Sequence, residues 1–288
     1  MQRSLIAFLL GVFALAGCAS YSATPAAPPA TPWAATPADC TTLVGEGDKP
    51  ATLPTGAARI TLCNEPGHEI TQVTPPDALV TDTAAVVAAY NAGQRANLAV
   101  MACTADLGPA YRLVVEYAGD KVLTLRGELY GCRVVGDKTA AQAVLDAFTT
   151  ALIEQRKDAP VTLEDPIGEA SCGMGASVGS WLPGTMDATV AGFRCTDGVA
   201  RAATIAAVDW ATLRDDYTAN ATRTPLTEAE REQCRETIGT SLVGVTASGE
   251  RVALHGRCGI FERWTGFNDD SWTWRPGPAA SAIIEAAG

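Results

Sequence analysis

The sequence is poor in the side chains that most enzyme centres use. Its 288 residues include only two histidines, His68 and His255, which cannot supply the three protein ligands of a catalytic zinc ion. No two cysteines have the short spacing of a structural zinc site, and P-loop, dinucleotide-binding and EF-hand patterns are missing. We therefore expect neither a metal nor a cofactor. This shortage favours a non-catalytic protein, although two carboxylates that meet only in the fold would still make a glycosidase-type acid pair.

Long apolar runs are absent except at the N-terminus. Arg3 is the one charge before the stretch from Leu5 to Ala16, and this basic-then-apolar order is that of a secretory signal peptide. The run is too short to span a bilayer, which needs about twenty residues. It ends in Leu-Ala-Gly-Cys18, which resembles the lipobox of bacterial lipoproteins. We predict a signal peptide over residues 1–17 and lipid on Cys18, at the outer face of the cell membrane. The alternatives are an ordinary signal peptide cut farther on and an uncleaved anchor helix.

Residues 18–39 have the composition of a tether. They hold five prolines and many small residues without periodicity, which predicts an extended spacer of about 60 Å. Cleavage before Cys18 removes one basic residue, so the formal net charge moves from −11 to −12. An acidic chain is disfavoured at nucleic acid and at anionic lipid headgroups. We expect membrane contact through the lipid alone, and an extracytoplasmic protein or glycan as partner.

The remaining eight cysteines predict disulfide bonds, because their number is even and the chain is expected to be exported. The economical pairing is sequential. The alternative joins the first cysteine of each half to the fourth and the second to the third. The cysteines concerned are Cys40, Cys63, Cys103, Cys132, Cys172, Cys195, Cys234 and Cys258.

The cysteine spacing also indicates an internal repeat. The first two of these cysteines lie 23 residues apart, and so do the fifth and the sixth. An aspartate follows each of these pairs after 14 further residues. We predict two related units in tandem, residues 40–157 and residues 158–288.

Periodicity predicts a strand, a helix, a hairpin and a helix in the first unit. The ranges are 57–63, 81–92, 111–126 with a Gly119-Asp120 turn, and 138–157. The last helix is the clearest, with Val144, Leu145, Phe148, Leu152 and Ile153 at core spacing. In the second unit the corresponding ranges are 188–195, 209–218, 242–246 and 251–256, but a short apolar tail replaces the long helix. We predict an α+β fold in which each unit is a small antiparallel, disulfide-bonded sheet with helices packed on one face.

Three segments of the first unit carry a resemblance. They are Asp77-Ala-Leu, Cys103-Thr-Ala-Asp-Leu-Gly-Pro-Ala-Tyr111 and Gly127-Glu-Leu-Tyr-Gly-Cys-Arg133. Together with the Gly-Asp turn they resemble uncharacterised actinobacterial-type lipoproteins with a duplicated cysteine-containing α+β unit. The match covers the first unit well and the second loosely. The resemblance implies the membrane location and a Cys103–Cys132 bridge, and it transfers no catalytic residue.

An aromatic cluster near the C-terminus is the best candidate for ligand binding. Exposed aromatic rings beside the acidic pair at 269–270 would suit a sugar or a protein partner. The alternative is that the rings replace the core contacts of the missing helix. The cluster comprises Trp264, Phe267, Trp272 and Trp274.

One short pattern points to catalysis. Gly175-Ala-Ser-Val-Gly179 fits the G-x-S-x-G nucleophile elbow, in which a tight strand-to-helix turn exposes the serine. No convincing strand precedes Ser177, and His255 is the only histidine that follows it. We therefore favour a non-catalytic binding or envelope-interaction protein. The alternatives are a secreted serine hydrolase using Ser177 and an inhibitor-like module directed at a protease or a wall enzyme.

Overall fold

The computed structural model describes residues 39–43, 45, 47–106, 108–168, 172, 179–196, 203–235, 239–264 and 271–287. Predictions about the signal peptide, Cys18, Ser177 and Phe267 lie outside these residues. The strands within the described ranges are β1 (Ala57–Asn64), β2 (Ala110–Tyr117), β3 (Val122–Glu128), β4 (Thr189–Thr196), β5 (Ala203–Ile205), β6 (Thr240–Thr246), β7 (Arg251–Arg257), β8 (Ile260–Trp264) and β9 (Ser271–Trp274). The α-helices there are α1 (Thr83–Ala92), α2 (Ala141–Asp158), α3 (Ala207–Asn220), α4 (Glu228–Gln233) and α5 (Pro278–Ala286).

The first sheet is antiparallel, with the strand order β1-β2-β3. Successive side chains of a strand point to opposite faces, so alternate apolar residues collect on one side. Ile60, Leu113 and Leu125, one from each strand, are fully buried in the same cluster as Val86 of α1 and Phe148 of α2. One hydrophobic core therefore lies between this sheet and the two helices.

The second sheet is also antiparallel and has the order β5-β4-β6-β7-β8-β9. Its core cluster joins Leu242 and Leu254 of the central strands to Trp210 of α3 and Ile284 of α5. A smaller cluster on the other face contains Phe193. All the described residues belong to one compact unit.

Three sheet edges each carry an isolated backbone bridge to a residue outside the named strands. Leu79 bridges β1, Val135 bridges β3 and Thr222 bridges β9. An open edge offers unpaired N–H and C=O groups to a strand of another chain. These bridges occupy part of that hydrogen-bonding capacity, which disfavours strand addition at these edges.

Four disulfides link cysteines that are 23 to 29 residues apart, so the prediction of disulfide bonds is confirmed. The pairing is the sequential one. Cα–Cα distances of 4.5 to 5.7 Å fall in the usual disulfide range. The bonds are Cys40–Cys63, Cys103–Cys132, Cys172–Cys195 and Cys234–Cys258.

A buried ion triad connects α2 to the segment between β1 and α1 and to the turn between β6 and β7. Arg156 Nη2 lies 2.5 Å from Asp77 Oδ1, and Arg156 Nη1 lies 2.5 Å from Glu250 Oε1. Each of the three side chains is at most 12% exposed. Burial acts to raise the pKa of Glu250, but hydrogen bonds from Ser248, Thr246 and Arg156 outweigh it and hold that pKa below its ordinary value of 4.5.

The mixed α+β class with two antiparallel sheets is confirmed, and most of the predicted strands and helices form within a few residues of their expected bounds. One core prediction is wrong, because Ile153 is 40% exposed. It follows Leu152, which is fully buried, and one residue turns the side chain by about 100° around the helix. The apolar tail forms α5, whereas β5, α4, β8 and β9 lie in segments for which the sequence predicts no element. Of the helices described, none has the length and apolarity to cross a bilayer.

Candidate functional site

The C-terminal tryptophans do not share one environment. Trp274 is fully buried and donates from Nε1 to Asp216 Oδ1 at 2.8 Å. Trp272 is half-buried, with the guanidinium carbon of Arg223 5.1 Å from its ring centroid. The backbone of Trp264 lies in β8. Trp272 is therefore the member of the cluster whose described side chain offers surface to a ligand, while Trp274 packs in the core.

A serine, a histidine and a glutamate lie in one row across the second sheet. Ser241 on β6 pairs with His255 on β7, and His255 pairs with Glu262 on β8. Ser241 Oγ is 3.0 Å from His255 Nδ1, so the two side chains share a hydrogen bond. Glu262 is 15% exposed and lies 3.7 Å from the guanidinium of Arg231. The row brings an alcohol, an imidazole and a carboxylate onto one face of the sheet.

Residues 97–106 form a second exposed feature, which we call the apolar loop. Val100 is 80% exposed and Leu98 is 54% exposed, although both are large aliphatic side chains. The amides of Val100 and Met101 both donate to the carbonyl oxygen of Asn97, at 3.1 and 3.0 Å, which folds residues 97–101 into a tight turn. The turn therefore holds its aliphatic side chains out to solvent.

The apolar loop is fixed to one neighbouring segment, residues 131–138, just before its first residue and again at Cys103. The Ala96 amide donates to the carbonyl oxygen of Asp137 at 2.7 Å, just before the loop begins. Within the loop, Cys103 is bonded to Cys132, with the Cα atoms 4.5 Å apart. The loop is therefore closed at its base by a covalent bond and a backbone hydrogen bond.

Charges around the apolar loop are balanced. Arg95 is 78% exposed and pairs with Asp137 at 2.8 Å. The Thr104 hydroxyl hydrogen bonds to Asp106 and, with a smaller contribution from Arg133, lowers the pKa of that exposed carboxyl. The loop and its base thus form a locally neutral surface on a strongly acidic chain.

An open groove of about 360 Å³ lies between α1 and α2. Its walls combine three carboxylates with small side chains. Asp146 already accepts a hydrogen bond from Gln142 at 2.8 Å, and Glu154 pairs with Lys157. The described part of the chain has no group of three or more histidine, cysteine, aspartate and glutamate residues able to hold a metal ion. The groove is lined by Asp82, Ala85, Asp146, Ala147, Thr150, Ala151 and Glu154.

Comparison with protein-family models, with curated proteins and with solved structures finds no match to this chain.

Two of these features escape a search for short motifs. Ser241 and His255 lie at equal sequence distances from residue 248, in the hairpin turn, so a symmetric reading of the hairpin would have paired them. The Leu-Ala-Val-Met run at 98–101 carries no signal of its own, because an apolar run of four fits a buried strand equally well. Its exposure follows from the turn and from the closure at Cys103.

Proposed function

We propose that this chain is an exported lipoprotein that is held at the outer face of the cell membrane by lipid on Cys18 and binds another molecule of the envelope without catalysis. The observation that carries the proposal is the set of four disulfides within one compact unit. Disulfides persist in oxidising compartments outside the cytoplasm and are rare inside it. They agree with the signal peptide and the lipobox-like segment at the N-terminus.

Lipid on Cys18 gives permanent attachment without a membrane-spanning segment. A single acyl chain holds a protein only marginally, whereas several chains on one cysteine bind it stably. The proline-rich residues 19–39 then act as a spacer between the membrane and Cys40. The mature domain therefore acts at a distance from the lipid surface, where an exported protein or a glycan is within reach.

A tandem duplication is part of the proposal. β1 and β4 each carry a cysteine, Cys63 and Cys195, that is bonded to a partner 23 residues upstream. Each strand pairs antiparallel with the first strand of the next hairpin, and each pairing has a register shift at its start. The shifts lie at 57–59 and 189–191, at equal distances from the two cysteines. A shared bulge position supports common descent because bulges are kept within families.

Metabolic labelling with a palmitate analogue tests the anchor. We expect label on the wild-type chain and none on Cys18→Ser, because that cysteine is the attachment point. Ser20→Ala, two residues farther on, is the matched control and keeps the label. The Cys18→Ser chain should also leave the membrane fraction. Label that persists in Cys18→Ser contradicts the proposed anchor.

A second candidate function, a serine hydrolase, is favoured by the hydrogen bond between Ser241 and His255. A nucleophile within reach of a base, with an acid next in line, is the arrangement that activates serine. β6 is a central strand, flanked by β4 and β7, so its N–H groups are engaged in the two ladders. Because an acyl-transfer site also needs free donors for the oxyanion, the row ranks second.

A fluorophosphonate probe separates the two functions. If the protein only binds, we expect no more labelling than in heat-denatured chain. A hydrolase built on the sheet row would be labelled in Ser177→Ala but not in Ser241→Ala or His255→Ala. Loss of label in Ser177→Ala alone would assign the chemistry to Ser177. Either pattern of specific labelling contradicts a purely binding role.

A further inference from the structure

Two of the six large hydrophobic side chains that are notably exposed in the described part of the chain sit two positions apart on the apolar loop. Single exposed apolar residues are ordinary, but neighbouring ones held out by a tight turn form a projection. Leu98 and Val100 flank Ala99, which is also exposed. The projection is convex, so the surface that receives it has to be a recess.

The apolar loop is also pre-organised. Binding costs less free energy when the contacting segment is already fixed in its bound shape. Here the Asn97 carbonyl holds the turn, and the Cys103–Cys132 bond closes the base. An exposed apolar segment that is fixed at both ends has the properties of a docking element.

We propose that the apolar loop docks into an apolar recess of an exported protein, with Leu98 and Val100 as the side chains that enter it. This inference rests on the proposed function for its location, since the partner must lie outside the cytoplasm. The recess is expected to be uncharged at its centre, because residues 97–105 carry no charged side chain and the one charge of the loop, Asp106, lies at its end.

A protein recess fits the loop better than a lipid surface for two reasons. The chain between Cys18 and the first described residue, Asp39, is long enough to hold the domain tens of ångströms from the bilayer. Asp106 on the loop is fully exposed and has its pKa lowered by Thr104, so it would carry its charge into the lipid. A net charge of −12 after cleavage would add repulsion from anionic headgroups.

Site-specific photocrosslinking in intact cells tests the docking. A benzophenone side chain replaces Val100 in the full lipidated chain, and the control carries it at Val208 on α3, which is 74% exposed against 80% for Val100. We expect a discrete protein adduct from position 100, its loss when Leu98→Asp is added, and no such adduct from position 208. The adduct is identified by mass spectrometry and the captured protein is then purified.

Binding of the purified captured protein to the purified chain completes the test. We expect Leu98→Asp to raise the Kd at least tenfold, because a carboxylate would be buried in the recess. Val208→Asp should change the Kd less than twofold. Thermal unfolding should be the same for both variants and the wild type, since both side chains are exposed.

Three outcomes would overturn the proposal: an adduct to phospholipid, equal adducts from positions 100 and 208, or no adduct at all. These failures are separate from failure of the anchor. A chain whose palmitate label depends on Cys18 but that gives no adduct at position 100 keeps the proposed location and loses the docking loop. A chain whose label survives Cys18→Ser loses the proposed anchor, whereas the adduct still reports on the loop.

Discussion

Replacing Arg156 with methionine should lower the free energy of unfolding by about 3–5 kcal/mol, the usual cost of removing one partner from a buried ion pair. Methionine keeps much of the side-chain volume and removes the charge. Asp77 and Glu250, which are 5% and 8% exposed, would then be left as buried carboxylates without their cation. Urea unfolding followed by circular dichroism measures the change.

Lys157→Met is the matched control, because Lys157 is the next residue and is 64% exposed in its pair with Glu154. Exposed pairs contribute about 0–1 kcal/mol, so this variant should unfold close to the wild type. Equal destabilisation by the two substitutions would contradict the role given to the triad.

The triad also predicts how stability depends on pH. The pKa of Glu250 is held below its ordinary value of 4.5 in the folded chain. Its contribution is therefore fully present above the pKa of the unfolded chain and is lost as the pH falls through the folded pKa. We expect wild-type stability to decrease below about pH 4.5 for this reason. In Arg156→Met the decrease should be smaller, because only the hydrogen bonds from Ser248 and Thr246 then oppose the effect of burial on the pKa of Glu250.

The triad illustrates where sequence reasoning stops. Local periodicity is enough for α2 and for its buried Phe148, since a helical stripe is a property of neighbouring residues. Arg156 lies in the last turn of the same helix, but its partners lie 79 and 94 residues away along the chain. No local pattern distinguishes this arginine from the exposed Lys157 that follows it. Long-range pairing of charges depends on how the elements pack together.

The C-terminal region shows a different limit. β8 and β9 pair Phe261 with Trp274 across the sheet, and both side chains are buried in the second core. The sequence there is rich in tryptophan, and composition alone fits equally an exposed binding cluster and a buried hairpin. Asp216 on α3 accepts a hydrogen bond from the indole N–H of Trp274, which satisfies that polar group inside the core. The sequence predicted both possibilities. Tertiary contacts bury Trp274 and leave Trp272 partly exposed.

The proposed lipid anchor and the proposed docking by the apolar loop make complementary demands on a partner. A tethered domain meets its partner at a high effective concentration within the reach of the tether. For a partner held at the same membrane, a small docking loop then suffices, because both molecules are confined to one surface. The bridges at the edges of β1, β3 and β9 favour recognition by side chains over strand addition at those three edges.

Trp210→Ala should destabilise the protein by about 3–5 kcal/mol, the range measured for large aromatic deletions in cores. Trp210 is fully buried in the second core, and its Nε1 donates to the hydroxyl of Thr189 at 3.0 Å. Trp210→Phe is the matched variant, since it keeps most of the ring volume and loses the hydrogen bond. It should cost clearly less than the alanine substitution, and chemical denaturation of both variants measures the difference.

The packing of Trp210 against two glycines gives a sharper test than the single substitution. The ring packs directly against the backbone of Gly192 and Gly244, where a Cβ at Gly244 would lie 2.6 Å from the ring and one at Gly192 would overlap it. Gly192→Ala should therefore cost about 1–3 kcal/mol by overpacking. In the Trp210→Ala background the same methyl group enters the vacated space, so its cost should largely disappear. A double-mutant cycle measures this coupling. If the two changes in unfolding free energy were additive within about 0.5 kcal/mol, the ring of Trp210 would not be packed against Gly192.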